Sequence, residues 1–314
     1  MKGVEIGICL FPTVPAARIA ELARLCEDLG FAFVGIGDVQ ALWRNSYVAL
    51  TLAVAATTRI RLGPWVTNPV TRHPTVTANA ILTLNELSAG RMLLGIGVGD
   101  GAVRTIGRAP ATLDELARAV TVIADAARRD EHGHGAFPIY WAAAGERSLT
   151  YGGRYGDGVI VSGWIVPEHL ARARRHIDEG VRAASREASR VAMIFNTAMA
   201  IGRDRGQALH QAKPYVARAL ARTSSAWLPD WSVDDASRFR EQYDFQHHFQ
   251  PDHELAALVP DHMVARKAIA GTPDDCRRLV EAVVGGGFTT LALTPTGDVE
   301  GALRMFAGEV LSKL

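Results

Sequence analysis

The stretch "RIRLGPWVTNPVTRHPTVTANAILTLNELSAGRMLLGIGVG" (59–99) contains one complete strand–helix–strand unit. Short apolar runs at 59–66 and 91–99 flank a segment, 75–90, that has helical spacing and ends at Gly90. This order predicts two parallel strands joined by a crossover helix. Many polar side chains follow the first strand, although a simple connection needs far fewer. They indicate the wall of a site.

The same alternation of short apolar runs and longer amphipathic segments extends along the whole chain. Eight strand–helix units in about 300 residues favour a closed (β/α)₈ barrel, an α/β fold, over an open doubly wound sheet. We therefore predict one barrel domain over residues 1–314. The segment 224–262 is long, aromatic and mixed in charge, and we expect it to form an excursion over the C-terminal face between strands seven and eight. The predicted strands are 4–10, 31–37, 59–66, 91–99, 138–145, 157–164, 191–201 and 288–295.

Composition limits the possible function classes. The 314 residues are 48% hydrophobic, enough for a large core, and the net charge of +1 gives no electrostatic reason to bind nucleic acid or an acidic membrane. No apolar run reaches the length of a membrane helix, and the N-terminus has no signal-peptide pattern. Three scattered cysteines predict core thiols rather than a disulfide framework. We expect a cytoplasmic protein that acts on a small molecule.

In a barrel of this kind the active site is built at the C-terminal ends of the strands. The groups found there are carboxylate, amide, aromatic and glycine, and they suit a planar ligand with polar edges. No His, Asp or Glu cluster has the spacing of a metal site, so no metal is predicted. The candidates are Asp38, Gln40, Trp43, Arg44, Asn45, Trp65, Thr67, Asn68, Arg72, His73, Gly97, Gly99, Asp100, Arg104, Ala144, Gly145, Ser162, Gly163, Trp164 and Asn196.

Several of these features have simpler interpretations. Asp38 could cap the helix that follows it. The stretch "GIGVGDGA" (95–102) matches a loose dinucleotide-binding pattern, but that pattern normally closes a first βα unit and here it follows the fourth strand. The stretch "AAAGERSL" (142–149) is the better anion site. Its order of strand, glycine and helix start directs backbone N–H groups and a helix dipole toward a phosphate.

Two motifs carry a resemblance to a known family. The stretches "GPWVTNPVTRHP" (63–74) and "LNELSAGRMLLGIGVGD" (84–100) resemble the luciferase-like monooxygenase superfamily. Within it they look like the branch typified by methylenetetrahydromethanopterin reductase, which uses the deazaflavin coenzyme F₄₂₀. The C-terminal residues 258–295 are similar to the same branch, so the resemblance covers nearly the whole chain. It implies a barrel that binds F₄₂₀ or FMN at its C-terminal rim.

The resemblance also implies roles for particular residues. The family's third strand carries a bulge with a non-prolyl cis peptide that backs the cofactor ring, and this bond matches Trp65–Val66. The family's proton donor matches Asp100, and a tryptophan of the catalytic rim matches Trp43. The cofactor-binding positions carried over in this way are Asp38, Trp65, Val66, Thr67, Asn68, Gly97, Ala144, Gly145 and Gly163.

The chain departs from the family pattern at two positions. Val39 stands where a histidine often follows the strand-two aspartate, so an imidazole acid or base is missing there. Trp164 follows Gly163 where the sugar-phosphate branch has a lysine for its substrate's phosphate. A sugar phosphate is therefore disfavoured as substrate.

Three functions remain open at this stage. The first is F₄₂₀-dependent hydride transfer to or from a small organic substrate. The alternative is an FMN-dependent monooxygenase that uses reduced flavin and O₂, and that function would call for a partner flavin reductase. The third is a barrel that binds a flavin or another ligand without chemistry, which the absence of the histidine at Val39 permits. The family also implies a homodimer, for which the apolar helix at 46–57 is a candidate interface.

Overall fold

The computed structural model describes residues 3–131, 135–222, 237, 239, 241–242 and 254–314. All eight predicted strands are present in it. A ninth strand of three residues, Ile269–Gly271, was not predicted. The strands are β1 (Glu5–Leu10), β2 (Phe33–Ile36), β3 (Arg61–Pro64), β4 (Leu94–Ile96), β5 (Ile139–Ala143), β6 (Gly158–Val161), β7 (Ala192–Ile201), β8 (Ile269–Gly271) and β9 (Thr290–Pro295).

Helices connect these strands and cover the outside of the sheet. The predicted helices at 46–57 and 75–90 both form, with ends within three residues of the prediction. The helices of the described residues are α1 (Ala16–Asp28), α2 (Ser46–Ala56), α3 (Pro74–Leu87), α4 (Asp100–Arg104), α5 (Leu113–Arg128), α6 (Glu146–Tyr155), α7 (Pro167–Ala183), α8 (Arg205–Arg222), α9 (Glu254–Ala257), α10 (Asp261–Lys267), α11 (Pro273–Gly285) and α12 (Val299–Glu309).

The strands form a nearly closed barrel. Every ladder is parallel, and the order is β3-β2-β1-β9-β7-β6-β5-β4, with β8 paired to the upper part of β7. The two ends of this order meet through two isolated parallel bridges, Leu62–Met92 and Thr67–Ile96. The prediction of a (β/α)₈ barrel is therefore confirmed.

The gap between these two bridges coincides with a bulge after β3. The peptide bond between Trp65 and Val66 is cis, which confirms the position expected from the family. Below the bulge, Leu93 N–H donates to the carbonyl of Leu62 at 2.9 Å. Above it, Gly97 N–H donates to the carbonyl of Thr67 at 3.0 Å. The chain thus leaves the ladder at the bulge and rejoins it, so residues 65 and 66 face the barrel opening without a strand partner on β4.

Local chemistry explains where the flanking helices begin. The side chain of Asn45 accepts hydrogen bonds from the backbone N–H groups of Tyr47 and Val48, so Asn45 caps α2. This excludes the interpretation of Asp38 as that cap. His73 caps α3, and Pro74 occupies the first helical turn, where a missing N–H costs nothing. The polar run after β3 therefore includes one helix start, and its other residues are available for the site.

The core lies on both faces of the sheet. Between the sheet and its helices it is mainly aliphatic, and inside the barrel a smaller group packs around Phe33, Trp65 and Tyr140. A further cluster joins α8 and α10 to the top of β7. The three cysteines are free and buried within this core, as predicted. Searched over its described residues, the chain has no helix long and apolar enough to cross a membrane.

Most of the predicted excursion at 224–262 lies outside the described residues. Helix α9 and the start of α10 belong to its C-terminal part, and they pack against α8. The extent of the excursion and the single-domain assignment of 1–314 stay predictions.

Candidate active site

A cavity of about 660 Å³ opens at the C-terminal ends of the strands, within the range of small-molecule and cofactor sites. Eight of the eleven residues to which the family resemblance gives a role border it: Asp38, Trp43, Trp65, Val66, Gly97, Asp100, Ala144 and Gly145. The other three, Thr67, Asn68 and Gly163, lie beside the cavity without lining it. One cavity thus collects side chains from four consecutive strand ends.

Asp38 lies at the centre of a buried polar network. One carboxylate oxygen accepts hydrogen bonds from Thr67 Oγ1 at 2.8 Å and Arg72 Nη1 at 2.9 Å. The other oxygen accepts from Gln40 Nε2 at 2.8 Å. Arg72 in turn lies 4.2 Å above the ring of Tyr47. Thr67 therefore turns its hydroxyl toward Asp38. It acts on the cavity by holding the Asp38 carboxylate, which borders the cavity.

Asn68 is held mainly by its own loop. Its side-chain oxygen accepts hydrogen bonds from the backbone N–H groups of Val70 and Thr71 and from the Thr71 hydroxyl. Its side-chain nitrogen Nδ2 is buried and has no hydrogen-bond partner among the described residues. Buried polar groups are rarely left unpaired, and this N–H₂ lies beside the cavity without reaching its surface.

The strand-two end contributes an aromatic wall. The rings of Trp43 and Phe11 stack with centroids 4.5 Å apart and planes at 16°, and both border the cavity. Val39 also borders it, where an imidazole would otherwise stand. Apart from Asp38, this side of the cavity is apolar, and Val39 adds no acid or base to it.

Asp100 is the first residue of α4, and its carboxylate is mostly buried. Arg104, one helical turn later, donates from Nε to this carboxylate at 2.6 Å. Both side chains border the cavity. The carboxylate is thus ion-paired in this arrangement, and its role as proton donor stays a prediction.

The end of β5 presents a helix N-terminus to the cavity. Gly145 precedes α6, and no side chain caps the helix there. The first backbone N–H groups of α6 have no partner within the helix, and the dipole adds positive potential. A Cβ atom at Gly145 would meet no heavy atom within 4 Å. Ala144, Gly145 and Ser148 together leave room for an anion.

A buried lysine, Lys267, lies beside the end of strand six, and it was not predicted from the sequence. Its side chain is fully buried, its ammonium donates to the carbonyl of Gly163, and it lies 3.4 Å from Ser162 Oγ and 5.6 Å from the centre of the Trp164 ring. The carbonyl of Gly163 therefore accepts the Lys267 hydrogen bond that anchors the loop after strand six. Lys267 does not line the cavity, and from α10 it acts as a buried anchor for the loop after strand six.

A polar group lies inside the barrel mouth. One of its members, Asn196 on strand seven, is a candidate from the sequence, and four others that border the cavity were not predicted: Cys9, Tyr215, Arg218 and Thr294. Burial raises the pKa of the Cys9 thiol far above its ordinary value, and a hydrogen bond with Thr294 only partly offsets this. Cys9 is therefore a neutral thiol in the cavity floor. Helix α8, which carries two of these residues, offered only an amphipathic pattern in the sequence.

The cavity has the features of an organic cofactor site rather than a metal site. No group of three or more His, Cys, Asp or Glu residues that could hold a metal ion occurs in the part of the chain that the structure describes. The long wall formed by Trp65 and Val66 and the open N-terminus of α6 suit a flat ring with an anionic tail.

Comparison with known proteins gives a consistent result. The profile of the family described as "Luciferase-like monooxygenase" matches residues 4–290. The 5,10-methylenetetrahydromethanopterin reductase of Archaeoglobus fulgidus is 28% identical over 99% of this chain and 100% of its own. The F₄₂₀-dependent glucose-6-phosphate dehydrogenase of Kineococcus radiotolerans is 28% identical over 95% of this chain and 93% of its own.

A solved structure shows the same fold. The coenzyme F₄₂₀-dependent tetrahydromethanopterin reductase of Methanopyrus kandleri superposes with a TM-score of 0.84 at 25% identity, over 99% of both chains.

Proposed function

Because the chain belongs to the luciferase-like monooxygenase family, we propose that it is a coenzyme F₄₂₀-dependent oxidoreductase that transfers a hydride to or from a small organic substrate. The observation that carries this proposal is the cavity built over the Trp65–Val66 wall. The relatives that match almost end to end, described as F₄₂₀-dependent enzymes or as a methylenetetrahydromethanopterin reductase, support the choice of cofactor.

The residues around the cavity fit such a cofactor. F₄₂₀, when bound, supplies a ring carbon that gives or accepts a hydride. Trp65 and Val66 would support one face of the ring. Asp38, with the groups it orders, would meet its polar edge. The N-terminus of α6 at Ala144 and Gly145 would hold the phosphate of its tail.

The protein's part in the chemistry is to position the reactants and exclude water. The stacked rings of Trp43 and Phe11 close the cavity on the side of strand two. Asp100 is the carboxylate at the cavity rim that could hold or move a proton, and Arg104 fixes its position. Because Val39 is apolar, the site suits a substrate whose reduced carbon needs no imidazole partner.

A cytoplasmic homodimer is part of the same proposal. Free buried cysteines suit a reducing compartment. Helices α2 and α3 contact each other and expose apolar side chains. Large exposed apolar patches are rare on monomeric proteins, so this surface is a candidate subunit interface. A second copy of the chain is the proposed occupant, as the family resemblance implies. The exposed residues are Val48 (56%), Leu52 (40%), Val76 (54%) and Leu87 (60%).

Titration of the apo protein with F₄₂₀ and with FMN, each oxidised and reduced, tests the function. We expect F₄₂₀ to bind at least about tenfold more tightly than FMN. Preference for reduced FMN together with oxygen uptake would instead identify an oxygenase. Absence of binding by either cofactor would contradict both assignments. Sedimentation of the wild-type protein and of Leu52→Glu tests the dimer.

A further inference from the structure

Asn196 uses both ends of its side-chain amide inside the barrel mouth. Its Oδ1 atom accepts a hydrogen bond from Trp65 Nε1 at 2.9 Å. Its Nδ2 atom donates to the hydroxyl of Tyr215 at 3.0 Å. The thiol of Cys9 lies 3.8 Å from the same Oδ1. One half-buried amide on β7 therefore joins a residue of the bulge after β3 to a residue of α8.

The bond to Trp65 crosses the barrel. In the strand order, β7 is separated from β3 by β2, β1 and β9, so this contact spans the interior rather than a ladder. The Trp65 ring packs against Phe33 and Tyr140, with ring centroids 5.0 Å and 6.2 Å away. Phe33 and Tyr140 constrain the Trp65 ring only by packing. The hydrogen bond to Asn196 fixes the direction in which the indole points.

The bond to Tyr215 extends the link to the upper helices. Tyr215 is almost completely buried and borders the cavity from α8. Helix α8 packs against β7, β8 and α10 in the second core cluster. The bulge after β3 and the α8 side of the cavity are therefore held at a fixed separation by a single amide.

We propose that Asn196 is a positioning residue that sets the shape of the Trp65–Val66 wall through the Trp65 indole, and sets its separation from α8 through Tyr215. This inference rests on the proposed F₄₂₀ function. Oxidised F₄₂₀ has a flat ring, and reduced F₄₂₀ has a tetrahedral carbon at position five. A wall of fixed shape binds these two forms unequally, so Asn196 controls the ratio of their affinities.

The first experiment tests the link without any cofactor. The indole N–H signals of the six tryptophans are resolved by NMR, and the variant Trp65→Phe identifies the signal of Trp65. We expect Asn196→Ala to speed hydrogen exchange of this N–H at least about tenfold, because a paired buried donor becomes unpaired. Asn196→Asp keeps an acceptor and retains the protection. Equal exchange in the wild type and Asn196→Ala would overturn the inference.

The second experiment measures the dissociation constants of oxidised and reduced F₄₂₀. We expect Asn196→Ala to weaken binding about tenfold and to change the ratio of the two constants at least about threefold. Tyr215→Phe should have a smaller effect. Asn79→Ala, an exposed asparagine on α3, is the matched control and should match the wild type.

A combined variant separates positioning from general loss of packing. Because Asn196 is proposed to act through Trp65 and Tyr215, adding Asn196→Ala to a variant that carries both Trp65→Phe and Tyr215→Phe should weaken binding no further. Additive effects, or a folded Asn196→Ala with wild-type constants, would overturn the inference while F₄₂₀ binding by the wild type still supports the function. Failure of the wild type to bind F₄₂₀ would overturn both.

Discussion

The guanidinium of Arg72 lies 2.9 Å from the carboxylate of Asp38, and it is the only described cation paired with this buried group. The Arg72 side chain is 19% exposed and the Asp38 side chain 2% exposed. Arg72 belongs to the polar run that follows β3, and this pair gives the run a defined structural role. It carries the counter-charge for the carboxylate at the end of β2, and thereby fixes Thr67 and Gln40 around it.

Removal of this counter-charge should be costly. We expect Arg72→Gln to lower the free energy of unfolding by about 2–3 kcal/mol, because it leaves a buried carboxylate without its charged partner. Urea unfolding measures the change. Arg190→Gln is the matched control, since Arg190 pairs with Glu187 at the exposed surface and the loss should be below about 0.5 kcal/mol. Equal losses in the two variants would contradict this view of the pair.

The barrel could be predicted from the sequence because its signals are local. Each buried parallel strand is a short apolar run followed by a helix of regular spacing, and chain order determines the rest. Strand β8 escaped prediction because three residues, Ile269–Gly271, are too few to show a pattern. The cis bond at Trp65–Val66 was placed by family resemblance and not by any local signal.

The candidate site could be predicted only in outline. Strand ends can be identified in sequence, and eight of the eleven residues to which the family resemblance gives a role border the cavity. Side-chain direction cannot be identified in this way: Asn68 turns its oxygen back to its own loop, and Thr67 turns toward Asp38. Contacts between distant residues were also missed. Lys267 meets Gly163 across 104 positions, and Asn196 meets Trp65 across 131, with no periodicity to connect them.

Glu27 should make stability fall in acid. Its carboxylate is buried, which would raise its pKa, but hydrogen bonds from the backbone N–H groups of Ile60, Arg59 and Thr58 outweigh burial and lower the pKa from 4.5 to about 2. A depressed folded-state pKa contributes stability above about pH 4.5, and this contribution is lost as the pH falls toward 2. The expected loss is about 3 kcal/mol.

Urea unfolding at several pH values between 7 and 2 measures this loss. Glu27→Gln should show a weaker dependence on pH over the same range, and its stability at pH 7 should be lower. Glu21→Gln is the control, because Glu21 is an exposed partner of Arg18. An unchanged pH dependence in Glu27→Gln would show that other carboxylates cause the acid transition.

A new charge at Gly145 should weaken cofactor binding and leave the fold intact. A side chain there meets no heavy atom within 4 Å of its Cβ, and an acidic residue suits a helix N-terminus. We expect Gly145→Glu to weaken F₄₂₀ binding at least about tenfold, because its carboxylate repels the phosphate of the tail. High salt should reduce the difference.

The control for this variant is Gly308→Glu. Gly308 lies on α12, is exposed and is equally open to a side chain, so it adds the same charge away from the cavity. Its F₄₂₀ affinity should equal that of the wild type. A wild-type affinity in Gly145→Glu would place the anionic tail elsewhere.

The three thiols should be inert in the native protein. Burial raises the pKa of each, that of Cys276 to about 12, so almost no thiolate forms at pH 8. A colorimetric disulfide reagent should react with no thiol of the folded protein and with all three in denaturant. Fast reaction of Cys9, which borders the cavity, would show that its surroundings admit water and the reagent.

Asp100 gives the sharpest test of proton transfer. If its carboxylate carries the proton that accompanies hydride transfer, Asp100→Asn should lower kcat about 100-fold, in line with a single acid–base group. The dissociation constant of F₄₂₀ should stay within about twofold, because the amide preserves shape. Single-turnover oxidation of reduced F₄₂₀ by a substrate that the wild type accepts measures the rate. Asp28→Asn is the control, since Asp28 pairs with Arg24 four residues before it, outside the cavity. An unchanged kcat in Asp100→Asn would show that the hydride goes to a carbon that needs no acid, such as the carbon of a cationic imine. The apolar Val39, which borders the same cavity, would also suit such a substrate.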